Sequence, residues 1–529
     1  MGIRINRLPD YIRLVTEMEK RLLSQEGDCY SYGDVQVKTK LENKELRISL
    51  TAGDTPVRFV VCRFNGSWDE NYYFLGDAIE RGYGNLKWEG MDPQRIMPWY
   101  FMASCDKETL GYGVKVRPSA LAFWMCDPEG ITLWLDTRSG AKGVVLGGRE
   151  LVLACLIERK STIGQPPFSF MKDFCHALSD QPVFPEEPVY GSNNWYYAYG
   201  NSSEERVLKD TALLAELTEG LMNRPYMVID DCWQELALTK GAAGRPYERG
   251  NVRFPDMKGL ADKMRGMGVR PGIWIRPLET NEMFLKESLR SERNRNALDI
   301  SLTETLQLIG EDVRRVADWG YELIKYDFAT YDFYGDFYNQ PLPWLKQEGW
   351  GLKDRSKTSA EAIKDLYRVI YENAGKAVII GCNVIGHLAS GYIHLHRSGD
   401  DTSGHSYDRS IMMGVNTLCF RMGQHKNFFH IDADCVGITS DIEWKDNKKF
   451  LDLLSLSGTP LFVSVDPEEV TAEMKEDLKA AFRRASEQKD DLEALDWMHT
   501  TIPENYNING EPKSYNWIRP FGLEHFSSL

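Results

Sequence analysis

The stretch Tyr321-Glu-Leu-Ile-Lys-Tyr-Asp-Phe328 decides the fold. Its apolar part, Tyr321 to Ile324, reads as a buried strand that runs into a lysine and a carboxylate. Residues i and i+2 of a strand face one way, so Lys325 and Asp327 share a side and Tyr326 takes the other. Alone, Lys-x-Asp reads as a buried ion pair. Three further segments with the same layout change that reading. Tyr226 to Ile229 leads into Asp230-Asp231-Cys232-Trp233, Gly272 to Pro277 carries Trp274, and Tyr392 to Leu395 leads into Arg397-Ser-Gly-Asp-Asp-Thr402. Acids and aromatics therefore gather after strands, and in a parallel α/β barrel that end holds the active site.

Outward from these segments the chain alternates strand and helix. Eight strands are expected, beginning near Ser192, Tyr226, Arg270, Glu322, Ala377, Tyr392, Phe428 and Leu461. Helical periodicity fills most intervals: Glu204 to Met222, Met257 to Met267, Glu304 to Asp318, Ala360 to Asn373, Ser406 to Gln424 and Lys445 to Leu456. This pattern predicts a (β/α)8 TIM barrel over residues 186–490. One interval, Val384 to Gly391, is too short for an ordinary crossover helix. A further helix is expected near Val470 to Gln488, and residues 491–529 read as a short C-terminal β appendage.

Before the proline-rich linker Gln181 to Pro188 the texture differs. Val35 and Val37, Leu46 to Leu50, then Phe59 and Val61 alternate as half-buried strands, with turns at Asn43-Lys44, Gly53-Asp54 and Asp127 to Gly130. Residues 1–180 are thus expected to form an antiparallel β-sandwich led by an amphipathic helix over 6–25, whose apolar stripe is Leu8, Ile12, Val15 and Leu22.

The bulk properties narrow the function. The chain has 529 residues, too many for one core, so a multidomain protein is expected. A net charge of −15 argues against nucleic acid or an anionic membrane as partner. Ten cysteines form no CxxC pair, and the N-terminus has no apolar leader, which suits a reducing, cytoplasmic setting. Paired carboxylates with tryptophans suit an oligosaccharide or glycoside substrate, since acids accept from hydroxyls and rings stack on sugar faces. No cofactor and no metal is implied. A homo-oligomer is allowed, and the sequence leaves the oligomeric state open.

Six motifs in order resemble clan D α-glycosidases, most closely the α-galactosidases of glycoside hydrolase family 36. They are Gly191-Ser-Asn-Asn-Trp-Tyr-Tyr-Ala-Tyr-Gly200, Ile229-Asp-Asp-Cys-Trp-Gln234, Lys325-Tyr-Asp-Phe328, Gly381-Cys-Asn383, Arg397-Ser-Gly-Asp-Asp-Thr402 and Ile431-Asp-Ala-Asp-Cys435. The segment Gly76 to Trp88 shares the family's flavour. Departures are Cys232 and Asn383, each where glycine is usual, and Asp400 at a proline position. The resemblance implies a retaining double displacement by an exo-acting α-galactosidase, with Asp327 as nucleophile and Asp401 as acid/base. Lys325 would keep Asp327 charged, and Asp400 and Asp327 would raise the pKa of Asp401. Arg397 opposes that unless it points to substrate. Asp230 and Asp231 would bind sugar hydroxyls, Trp195 and Trp274 would wall the pocket, and Cys382 and Asn383 would lie near the sugar's 2-position. Galactose versus N-acetylgalactosamine stays open, as does hydrolysis versus transglycosylation. A sugar-binding protein without activity would lack Asp327 or Asp401, and both are present. The rival of another class is a metal-dependent barrel hydrolase built on His394-Leu-His396, with His387, His405 or His430 completing the site. None of these has ligand spacing to the others, and satisfied structural histidines account for them better.

Overall fold

The computed structural model describes residues 2–237, 244–280, 282, 284–335, 345–487, 489, 491–519 and 522. The end of the expected C-terminal appendage, 520–529 apart from 522, lies outside them.

The N-terminal part holds two antiparallel sheets. The first orders Lys20–Leu22, Tyr11–Thr16, Val57–Asn65, Gly130–Asp136, Leu121–Asp127 and Met97–Pro98. The second orders Ser24–Glu26, Cys29–Tyr32, Val35–Glu42, Glu45–Thr51, Glu150–Lys160, Glu108–Val114, Tyr100–Cys105 and Tyr73–Gly76. Ile12, Leu14, Val60 and Leu133 from the first join Val37, Ile48, Leu50 and Leu156 from the second in one buried cluster. The turn at Asn43-Lys44 is as expected: both residues take positive φ, which matches the twist of a tight hairpin.

The helix expected over 6–25 is absent. Tyr11–Thr16 pairs with Val57–Asn65, so Ile12 and Leu14 turn inward at period two. A spacing of Leu8, Ile12 and Val15 fits a helix as well, and the available sheet edge decides between them. A helix not anticipated, Pro167–Leu178, buries Phe168, Phe170, Met171 and Phe174 beneath the second sheet.

The remainder is built on a curled sheet of nine parallel strands. In chain order they are β1 (Tyr190–Asn193), β2 (Tyr226–Ile229), β3 (Arg270–Ile275), β4 (Leu323–Tyr326), β5 (Val378–Gly381), β6 (Leu395–Arg397), β7 (His430–Asp432), β8 (Cys435–Ile438) and β9 (Leu461–Val465). Their order in the sheet is β7-β6-β5-β4-β3-β2-β1-β9-β8. The strand expected near Phe428 is therefore two strands, separated by Ala433-Asp434, with Asp434 at φ 72°. One half pairs with β6, the other with β9.

Helices fall where periodicity places them: Glu204–Leu217, Met257–Gly266, Thr303–Asp318, Ser359–Asn373, Trp444–Leu456 and Ala472–Ala485. Thr303–Asp318 shows why, since Leu306, Ile309, Val313 and Val316 recur every three or four residues and are buried. The short connection after β5 holds a single helical turn, Gly386–Ala389. The long helix expected over 406–424 is interrupted by a π segment, Ile411–Val415. Leu492–Ala494, Asn505–Ile508 and Glu511–Ser514 form a small antiparallel sheet, in keeping with the expected appendage. Among the described residues, no helix is long and apolar enough to cross a membrane.

Candidate active site

The ends of β1 to β4 and of β6 converge on a cleft of about 720 Å³. Of the ten residues singled out by sequence, seven line it: Trp195, Asp230, Asp231, Trp274, Lys325, Asp327 and Asp401. Cys382, Asn383 and Arg397 do not.

Asp327 follows the last residue of β4, and its backbone N–H still donates to Ile275 of β3 at 3.0 Å. Its carboxylate accepts from Phe328 N at 2.7 Å and from Trp274 Nε1 at 3.3 Å. These contacts aim it into the cleft. Tyr326 faces away and lies against Tyr367. Lys325 points inward, but its partner is not Asp327. Its Nζ donates to Asp230 Oδ2 at 2.7 Å, a buried pair. Burial disfavours the charge on Lys325, yet Asp230 outweighs this and keeps it protonated. Lys325 therefore supplies a positive field near Asp327 rather than the direct pair expected.

Asp230 is more fully bonded than Asp231. Its Oδ2 also accepts from Asn193 Nδ2 at 2.6 Å, and Oδ1 accepts from Asp231 N at 2.9 Å. Asp231 is less committed: Oδ1 accepts from Cys232 N and Gln234 Nε2. Burial, with Asp230 adding to it, pushes Asp231 up to about 6.

Asp401 departs from expectation. Burial alone would raise its pKa, but Arg397, Arg81 and Lys325 outweigh that and hold it down at about 2. Arg397 Nη2 lies 3.1 Å from its Oδ1, and Arg81 Nη1 lies 3.7 Å away. Arg397 thus points at Asp401, and it also pairs with Asp434 at 2.8 Å. These cations favour the ionised form of Asp401. Neighbouring Asp400, expected to raise its pKa, is neutralised by Arg81 at 2.7 Å and Arg409 at 2.8 Å.

Asn383 is fully buried. Its amide donates to Glu80 Oε2 at 2.6 Å, and its carbonyl oxygen accepts from Tyr331 N at 2.9 Å. Those bonds take up the groups expected to meet the sugar's 2-position. Cys382 is likewise buried, with Sγ 3.5 Å from Arg397 Nη1.

Several lining residues were missed by sequence. Arg81 and Tyr83 come from the N-terminal part, Phe328 adjoins Asp327, and Tyr196 and Tyr199 line it too, as does His405, read from sequence only as a candidate metal ligand. Tyr199 and His405 stack at 4.7 Å. Asp434, outside the cleft lining, gathers Arg397, Thr402 and the Tyr196 hydroxyl. Tyr196, Tyr199 and Asp434 fall inside quoted motifs, and Arg81 and Tyr83 inside Gly76 to Trp88, so the signal was there without a role attached.

His394 and His396 are structural. His394 Nδ1 accepts from Ile379 N at 3.0 Å, and burial pushes its pKa down to about 4. His396 is fully buried against Phe429. Among the described residues, no group of three or more His, Cys, Asp or Glu side chains is placed to hold a metal ion.

No protein-family model matches the chain. Two curated relatives share a stretch of 141 residues, 26% of this chain. A probable α-galactosidase B of Talaromyces emersonii is 27% identical over it, and an α-galactosidase of Oryza sativa subsp. japonica is 24% identical. The stretch spans 27% and 29% of those proteins' lengths. Among solved structures, the α-galactosidase TtGalA of Thermus thermophilus, in complex with p-nitrophenyl α-D-galactopyranoside, is similar at TM-score 0.61. It is 15% identical, covering 96% of this chain and 99% of its own. The GH36 α-galactosidase AgaA of Geobacillus stearothermophilus gives TM-score 0.62 at 13% identity, covering 92% and 77%. The chain shares the fold of these structures, and the two curated relatives it matches in part are named α-galactosidases.

Proposed function

We propose that this chain is a retaining, exo-acting α-galactosidase that releases terminal α-linked galactose from oligosaccharides or other glycosides. One observation carries the reading: four acids from three separate strand ends, Asp230, Asp231, Asp327 and Asp401, meet in one cleft with Trp195 and Trp274. Asp327 attacks the anomeric carbon while Asp401 gives its proton to the departing oxygen. Water, deprotonated by Asp401, then displaces Asp327. Arg397 and Arg81 favour the ionised form of Asp401, the form that deprotonates the water, and the first step proceeds from its protonated form. The free oxygen of Asp231 suits a hydroxyl at the non-reducing end, where an unmet acceptor costs about 1–3 kcal/mol and so selects epimers.

The catalytic unit is proposed as a closed (β/α)8 barrel over 186–490, flanked by an N-terminal β-sandwich (1–180) and a C-terminal β tail (491–529). Closure is supported by the sheet order, in which the two edge strands, β7 and β8, are successive pieces of one segment. A reducing, cytoplasmic setting is supported by ten cysteines that are all free thiols. The test of activity is a panel of p-nitrophenyl α-galactoside, α-N-acetylgalactosaminide, α-glucoside and β-galactoside. The α-galactoside should be cleaved well ahead of the rest. Preference for the acetamido sugar or for glucose would overturn the choice of sugar.

A further inference from the structure

Arg81 reaches the cleft from a different part of the chain than every other charged residue there. The segment Asp77 to Leu86 leaves the eight-stranded sheet after Tyr73–Gly76 and lies along the loops that follow the parallel strands. It is held at many points. Arg421 donates to the Asp77 carboxylate at 2.8 Å and to the Glu80 carbonyl at 2.5 Å, and Gln424 donates to Asp77 at 2.9 Å. Asn383 and the Tyr83 hydroxyl both donate to the Glu80 carboxylate. Gly82 forms a parallel bridge to Gly399: its N–H donates to Ser398 O, and Asp400 N donates to Gly82 O, each at 2.8 Å. A Cβ on Gly82 would meet Thr417 Cγ2 at 2.8 Å, so a larger residue would have to push that methyl aside. The segment therefore fixes the backbone on either side of Arg81 against the loop that bears Asp400 and Asp401.

We propose that Arg81 is a positioning residue for the acid/base carboxylate, delivered from the N-terminal sheets to fix the place of Asp401 and govern when it carries a proton. The anchor is Asp400. At the position where the resembled family has proline, it grips Arg81 at 2.7 Å and, through Arg409, ties it to the helical turn Tyr407–Ser410. That leaves Arg81 Nη1 at 3.7 Å from Asp401, on a side chain only 7% exposed. Other charges reach the same carboxylate. Arg397 acts on it from β6 and Lys325 from β4, Tyr196 and Tyr199 face it from the turn after β1, and Asp327 lines the same cleft. Asp434 acts through Arg397, and His405 shares the loop of Asp400 and Asp401. Among these, Arg81 is the one cation that the barrel sequence does not itself supply. Its charge favours the ionised acid, the form needed to activate water in the second half of the reaction.

The inference rests on the acid/base role proposed for Asp401, so its test has an arm that needs no turnover. In protein labelled with ¹³C-aspartate, the Asp401 signal, assigned by its loss in Asp401→Asn, should titrate below the ordinary aspartate range. In Arg81→Gln it should titrate higher by about one pH unit, because one cation is gone. The alkaline limb of kcat/KM on the aryl α-galactoside should move up by a similar amount, since the acid then keeps its proton longer. Arg81→Lys, which keeps the charge, should restore both. A folded Arg81→Gln protein whose titration and limb match the wild type would reduce Arg81 to a structural role. Should that variant not fold, a wild-type Asp401 titrating in the ordinary aspartate range would contradict the clamp by itself. A wild-type protein inert on the whole panel would instead count against the α-galactosidase reading.

Discussion

At the scale of single residues, the site separates two carboxylates by what each is bonded to. Among the described residues, Asp327 accepts from a backbone N–H and an indole, and it faces the cleft. Asp327→Ala should lower turnover by at least ~10³-fold with the melting transition little changed, because it anchors no core (cf.). Azide should restore rate on an activated substrate and give product of opposite anomeric configuration. Near-normal activity in the variant would remove Asp327 from the mechanism. Asp401→Ala should slow substrates with poor leaving groups far more than activated aryl glycosides, which need little protonation. Equal slowing of both would shift the acid role to another group. Lys325 is different in kind, since its buried pair with Asp230 is structural as well as functional. Lys325→Met strands a buried carboxylate and should cost about 3–5 kcal/mol in urea unfolding. A change within a few tenths would mean that Asp230 is readily rehydrated. The acids were legible in sequence because strand-end motifs expose them through a period of two. Lys325 sharing a face with Asp327 was legible too. Its bond to Asp230 was not, since that depends on side chains meeting across the sheet from β2 and β4.

Between elements, the contact that sets the frame is His387, in the single turn after β5. It stacks on Trp99 at 4.9 Å, and its Nε2 donates to the Val114 carbonyl at 2.8 Å. The N-terminal sheets and the parallel sheet thus meet on a buried imidazole, and burial pushes its pKa down to about 4. An unfolded histidine titrates near 6.5, so between these values the unfolded chain binds the extra proton. His387 therefore favours folding above about pH 6.5, and that contribution is lost as pH falls toward 4. The stability gap between wild type and His387→Gln, read from urea midpoints, should shrink by about 2 kcal/mol from pH 7 to pH 5. An unchanged gap would show the imidazole is protonated without penalty. Element type was readable where apolar spacing was unambiguous, as in Thr303–Asp318. It failed at Tyr11–Thr16, where Ile12 and Val15 suit either period and a sheet edge formed more than 40 residues later decides. It also failed at β7 and β8, where the positive φ of Asp434 divides one apolar run into two strands.

For the whole molecule, the N-terminal sheets are part of the site and not an appendage to it. They place Arg81 and Tyr83 in the cleft and hold them with bonds that span more than 300 residues, such as Asn383 to Glu80. No local pattern announces such a contact, which is why the sequence showed the acids at the parallel-strand ends and not the arginine that faces them. The central claim is that two of those acids carry out a double displacement on an α-galactoside. It is tested most directly by following p-nitrophenyl α-galactoside hydrolysis by proton NMR from the first turnovers. Two inversions at the anomeric carbon must release α-galactose first, with the β-anomer appearing later at the rate of mutarotation. First release of β-galactose would contradict the account, and so would an α-galactoside left intact.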